Sequence, residues 1–180
     1  MHNVLVPLAQ GCEELEAVTI IDILRRAQIN VVTAGLDKQP VTASGRTVLI
    51  PDTDLDTALK DDYDMVVLPG GLPGADHLEN DERIKNILLK MANSEKFTAA
   101  ICAAPKVLSS AGLLNGKKAT CYPTILESNK NTDITGEAVV IDGKVITSRG
   151  PGTAMDFALS LVESLEGKEK RDEVEARLVR

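Results

Sequence analysis

Four short apolar runs punctuate the chain: NVLVPLA (residues 3–9), NVVTAGL (30–36), YDMVVLPGG (63–71) and FTAAIC (97–102). Each is too short for a helix, and continuous apolar character marks strands buried on both faces. Helical periodicity fills the gaps. Leu15, Val18, Ile21, Ile23 and Leu24 recur at mixed three- and four-residue spacing, which predicts a helix from about Glu14 to Ala27. DERIKNILLKMANS reads as an amphipathic helix, and PKVLSSAGLL as a short one ending near Gly112. TAMDFALSLVESLEG reads as a helix with Thr153 as N-cap and Gly167 as stop. Two hairpins are expected, one in VTASGRTVLI with Ser44-Gly45 at its turn, the other around Asp142-Gly143 in EAVVIDGKVITS. The tail KEKRDEVEARLVR reads as a charged, solvated helix.

Strands alternating with helices imply βαβ units, hence an α/β fold with a mainly parallel sheet and helices on both faces. Such sheets bind ligands beyond the C-terminal ends of their strands, where the strand order reverses. Three strand ends, LAQGCEELE, LPGGLPGA and AAICAAP, should share that edge. With 180 residues and no repeat or linker, one domain over 1–180 is expected.

Composition narrows the function classes. The chain is 43% hydrophobic and 26% charged, with a net charge of −7. That balance argues against a nucleic-acid partner or an anionic membrane surface, both of which want clustered Lys and Arg. The N-terminal apolar run meets glycine and acid too soon for a signal peptide, and no stretch is long enough to span a bilayer, so a cytoplasmic location is expected. Cys12, Cys102 and Cys121 are widely spaced and odd in number, suggesting neither a disulfide framework nor a metal site. No dinucleotide fingerprint follows the first strand and no P-loop occurs, so no cofactor is expected.

Cys102 is the residue with chemistry to explain. It lies between a buried strand and a helix, with Ala100 and Ala104 two residues to either side. Small residues there relieve crowding at a nucleophile elbow. A helix N-terminus would also lower the thiol pKa. The competing reading is an inert buried cysteine. Cys12 has acidic neighbours that raise a thiol pKa, and Cys121 reads as packing. His2 and His77 are the two histidines, and a surface role suits His77. Glu13 and Glu16 share a helical face, and one of them could turn toward the sulfur. Held protonated by burial and like charge, it would donate a hydrogen bond to a thiolate. Acidic residues also favour a first helical turn without any catalytic role. The glycines of PGGLPG could supply backbone N–H groups to a developing oxyanion.

Taken together, LVPLAQGCEELEAVTIIDILRRA, YDMVVLPGGLPGA, AAICAAP and TSRGPGTAMDFAL resemble the ThiJ/PfpI superfamily, in order and over nearly the whole chain. The likeness is to its branch of Parkinsonism-associated deglycases and their bacterial relatives. The resemblance implies a flavodoxin-like three-layer sandwich, a single class I glutamine amidotransferase-like domain and a homodimer. It assigns Cys102 as the reactive cysteine and Glu16 as its hydrogen-bonding partner. Gly70, Gly71 and Ala103 become backbone donors beside the sulfur, and Arg26 and Arg149 fall near the dimer interface. Tyr122 stands where many relatives have a histidine, and Ala103 stands where peptidases of the superfamily have one. The implied activity is a cofactor-independent glyoxalase or protein deglycase acting on methylglyoxal- or glyoxal-type dicarbonyls and early glycation adducts. A redox-sensing or chaperone-like stress protein would use the same thiol.

Overall fold

Alternation along the first strand sorts the interior into two layers. Val4, Val6 and Leu8 point to one side of the sheet, and Leu5 points to the other. The computed structural model describes residues 1–127 and 129–180. Its longer strands are β1 (Asn3–Leu8), β2 (Asn30–Gly35), β6 (Met65–Leu68), β7 (Phe97–Ile101), β10 (Val139–Asp142) and β11 (Val145–Ser148). Two-residue strands are β3 (Val41–Thr42), β4 (Val48–Leu49), β5 (Thr53–Asp54), β8 (Lys118–Ala119) and β9 (Asp133–Ile134). The helices are α1 (Glu14–Arg26), α2 (Leu55–Ala58), α3 (Gly74–Glu79), α4 (Glu82–Asn93), α5 (Pro105–Ser110), α6 (Ala154–Glu166) and α7 (Lys168–Ala176).

The central sheet has seven strands in the order β10-β11-β7-β6-β1-β2-β5. All its pairings are parallel except β10 with β11, which form the hairpin expected around Asp142-Gly143. One core unites Val6, Val67 and Ile101 with Ile20 and Ile23 of α1 and Phe157 and Leu161 of α6. The opposite core unites Leu5, Val66 and Ala100 with Leu55 of α2, Leu88 of α4 and Leu108 of α5. This is the flavodoxin-like three-layer arrangement. β2 and β6 flank β1 on opposite sides, so the order reverses at β1 and opens a crevice beyond its C-terminal end. No helix among the described residues is long and apolar enough to cross a membrane.

Several local expectations change in the structure. Leu15 and Val18, although apolar, are 51% and 48% exposed, and the buried face of α1 is instead Glu16, Ala17, Ile20, Ile23 and Leu24. The β3–β4 hairpin forms with its turn at Ser44-Gly45, but the left-handed residue is Arg46. Thr153 does stand ahead of α6, yet its hydroxyl bonds Gly150 and Ser148 and caps no helical N–H. Gly167 ends α6 at a φ of +86°. The tail is helical as α7, and Val174 anchors it in the core.

Candidate active site

β1, β6 and β7 are adjacent and parallel, so the three strand ends meet on one edge. At the end of β7 the chain turns sharply. Cys102 has a φ of +63°, a left-handed conformation that non-glycine residues adopt only under local constraint. Hydrogen bonds supply that constraint. Cys102 N–H donates to the Ser148 carbonyl at 3.0 Å, Tyr122 N–H donates to the Cys102 carbonyl at 2.8 Å, and Ala104 N–H closes onto the Ile101 carbonyl at 2.9 Å. Ala100 and Ala104 are fully buried beside the turn, where larger side chains would crowd the backbone. The elbow inferred from their size is therefore present.

Glu16 reaches this turn from α1. Its residue is fully buried, and Oε2 accepts a hydrogen bond from Gly70 N–H at 2.8 Å. Oε1 is sealed from solvent and has no hydrogen-bond partner among the described residues. Gly70 sits between acid and thiol: a Cβ there would lie 2.7 Å from Cys102 Cβ and 2.8 Å from Glu16 Oε2. Gly71, at a φ of +84°, and Ala103 direct their backbone N–H groups at the sulfur.

Electrostatics ties the two groups into one titrating unit. Burial lifts the Glu16 carboxyl to about 7, against the lowering effect of Gly70 N–H and the Cys102 thiol. Burial, followed by the neighbouring Glu16 carboxylate, pushes the Cys102 thiol up to about 12. The pair therefore gives up its first proton near neutrality and holds its second, so thiolate and carboxylate do not coexist. The retained proton is shared between the thiol and the carboxyl, and Oε1, a carboxyl oxygen buried without a donor, is one of its two places. Oε1–H can then donate to a thiolate that already has the Gly71 and Ala103 N–H groups. This corrects the expectation of a thiol lowered by a helix N-terminus. α5 has six residues, starts with the N–H-less Pro105, and lacks a side-chain cap.

Cys102, Glu16, Gly70, Gly71 and Ala103 thus converge. Glu13 contributes differently: its N–H donates to the Gly70 carbonyl at 2.9 Å, while its carboxylate caps α1 at Leu15 N–H and accepts from the Ser44 hydroxyl. Tyr122 meets the site through its backbone, and its half-exposed side chain lines an open pocket of about 270 Å³ with Arg149 and Pro151. Arg149 Nη1 donates to the Gly136 carbonyl, and Arg26 pairs with Asp22 on the exposed side of α1. His77 is exposed and lines a separate pocket of about 480 Å³ off the ends of β1 and β2, and His2 pairs with Glu166. Burial first, then Glu14, raises the Cys12 thiol to about 11, and burial also raises Cys121. Sequence reasoning missed Ser148, whose carbonyl anchors the elbow. The signal was available in TSRGPGT, but only the pairing of β11 with β7 shows what it bonds. Among the described residues no three His, Cys, Asp or Glu side chains converge to hold a metal.

A family model for the DJ-1/PfpI family matches residues 2–164. Protein DJ-1 homolog B of Arabidopsis thaliana is 48% identical over 170 residues, covering 93% of this chain and 39% of that protein. The glutathione-independent glyoxalase DJR-1.2 of Caenorhabditis elegans is 36% identical over 165 residues, covering 89% of this chain and 87% of that protein. The crystal structure of Drosophila melanogaster DJ-1beta superposes with a TM-score of 0.95 at 42% identity, covering 99% of this chain and 97% of that one. The chain spans less than half the length of the Arabidopsis homologs A and B.

Proposed function

This chain belongs to the DJ-1/PfpI family, and on that footing we propose that it is a cysteine-dependent, cofactor-independent glyoxalase or protein deglycase. Its substrates are small dicarbonyls of the methylglyoxal type and the early adducts they form on proteins. One observation carries the reading: a fully buried carboxyl, Glu16, faces the elbow cysteine across Gly70 and titrates near neutrality.

The chemistry follows from that pair. The Cys102 thiolate adds to the aldehyde carbon, forming a C–S bond. The carbonyl electron pair moves to oxygen, which takes the Glu16 proton and gives a hemithioacetal. Glu16, now a carboxylate, removes the hydrogen from the carbon bearing sulfur and returns it to the adjacent carbonyl carbon through an enediol. The first carbon is oxidised and the second reduced, so no external oxidant enters. Water then cleaves the thioester, releasing a 2-hydroxy acid and restoring the thiol. Gly71 and Ala103 N–H groups polarise the reacting centre. The same reading includes a cytoplasmic homodimer, with exposed Leu15 and Val18 on the face of α1 available to a second copy and Arg26 and Arg149 near the contact.

The test is Cys102→Ser, followed by methylglyoxal consumption and lactate formation. Loss of turnover with an unchanged melting temperature is expected. Retained turnover would refute the assignment of Cys102.

A further inference from the structure

The β3–β4 hairpin lies outside the seven-stranded sheet, yet it is bonded to the loop that leads into Glu16. Gly11 N–H donates to the Thr42 carbonyl and Ser44 N–H to the Cys12 carbonyl, both at 2.8 Å. Around these bonds the Glu14 carboxylate gathers the turn. It accepts from Gly45 N–H at 2.9 Å, from the Ser44 hydroxyl at 3.2 Å and from Thr47 N–H at 3.4 Å. A Cβ on Gly45 would fall 2.3 Å from Glu14 Oε1, so glycine is what lets the carboxylate come this close. Gly45 N–H foremost, then the backbone N–H of Glu14 itself and the Thr47 donors, hold the Glu14 carboxyl down at about 2, and it stays ionised across the working range.

The other side of the same loop touches the catalytic surroundings. Glu13 N–H donates to the Gly70 carbonyl, and a Cβ on Gly71 would lie 2.4 Å from Glu13 N. Gly70 in turn binds Glu16. Within α1 itself, the side-chain cap is a single 3.3 Å bond from Leu15 N–H to Glu13. The first turn of the helix is therefore held from two sides, by Gly70 and by the hairpin.

From this juxtaposition we infer that Glu14 is a positioning residue: its carboxylate clamps the hairpin onto the first turn of α1 and so sets where Glu16 lies against Cys102. The consequence for turnover rests on the function proposed above. The clamp itself is read on the thiol, independently of any substrate.

The experiment compares Glu14→Ala, Glu14→Gln and Gly45→Ala with the wild type. It follows amide exchange at Gly45 and Thr47, the pH profile of Cys102 alkylation by iodoacetamide (resolved from Cys12 and Cys121 by peptide mass), and kcat and KM for methylglyoxal. Glu14→Ala should speed hairpin exchange about tenfold or more by removing its anchoring acceptor. It should displace the Cys102 alkylation profile and lower kcat about tenfold with KM nearly unchanged, because misplacement acts on the reacting geometry. Glu14→Gln keeps an acceptor oxygen and should recover part of each effect. Gly45→Ala should reproduce the alanine phenotype from the hairpin side, with the carboxylate intact. Faster exchange with an unmoved alkylation profile would overturn the positioning role, and unchanged exchange would overturn the clamp. Absence of methylglyoxal turnover in the wild type would sink the proposed function while the exchange and alkylation readings still decide the clamp.

Discussion

Replacing Glu16 with glutamine isolates what its buried carboxyl does to the stability of the fold. In the unfolded chain this group titrates near 4.5, and in the folded protein burial lifts it to about 7. Between those values the folded state holds a proton that the unfolded state has released. Stability must then fall as pH rises through that window, and level off above it. Each tenfold change in acid constant is worth about 1.4 kcal/mol, so the lift from 4.5 to about 7 corresponds to about 3 kcal/mol. The second proton of the Glu16–Cys102 pair leaves only well above this window and does not enter the balance. Glutamine preserves an acceptor for Gly70 N–H and does not titrate. Relative to wild type, Glu16→Gln should therefore gain about 3 kcal/mol between pH 4.5 and pH 7, or about 6–12 °C in Tm for a chain of this length. Thermal melts of both proteins at intervals from pH 4 to pH 8 give the difference directly. Parallel curves would show that Glu16 ionises in the folded protein as it does in a peptide, and the shared-proton account of the site would be wrong.

Two further substitutions probe the packing around that pair and the core beneath it. Gly70→Ala would place a methyl group 2.7 Å from both Cys102 Cβ and the Ile101 carbonyl oxygen. Overpacking of this kind costs about 1–3 kcal/mol, and prising Glu16 from Cys102 should lower kcat/KM for methylglyoxal about a hundredfold, as melts and initial rates will show. Phe157 is the largest fully buried side chain of the α6 face, so Phe157→Ala should cost about 3–5 kcal/mol in urea unfolding while leaving cold-assayed turnover close to wild type.

The inner sheet was legible in the sequence because β1, β6 and β7 are covered on both faces. Burial on two sides writes itself as an unbroken apolar run. β5 and α2 were not legible: β5 is a polar two-residue edge strand, held to β2 by the pairs Ala34–Thr53 and Gly35–Asp54. The exposed face of α1 misled for the opposite reason. Leu15 and Val18 fit an apolar period, while the charged Glu16 occupies the buried position between them. Periodicity counts apolar residues and cannot recognise a carboxyl that is buried for chemical reasons. The same limit applies to choosing between Glu13 and Glu16. Both lie on the acidic entry to α1, but Glu13 is the N-cap, so its side chain is committed to Leu15 N–H and Ser44. The hairpin that makes this commitment is distant in sequence.

The elbow could be read from two alanines, whereas the state of the thiol could not, and the reason is topological. A local rule assigns a low pKa to a cysteine before a helix, but α5 is too short and begins with proline. What governs the sulfur is the reversal of strand order at β1, which sets the end of β6 between those of β1 and β7. Gly70, at that middle position, is the residue whose absent side chain lets a carboxyl from the β1 side meet a thiol from the β7 side. Two acids in one dry space cannot both ionise, so the first proton leaves the pair near neutrality and the second remains between them. A nucleophile made in this way carries its own acid. The thiolate exists only while Glu16 is protonated, and that proton is the one the addition step must deliver to the substrate oxygen.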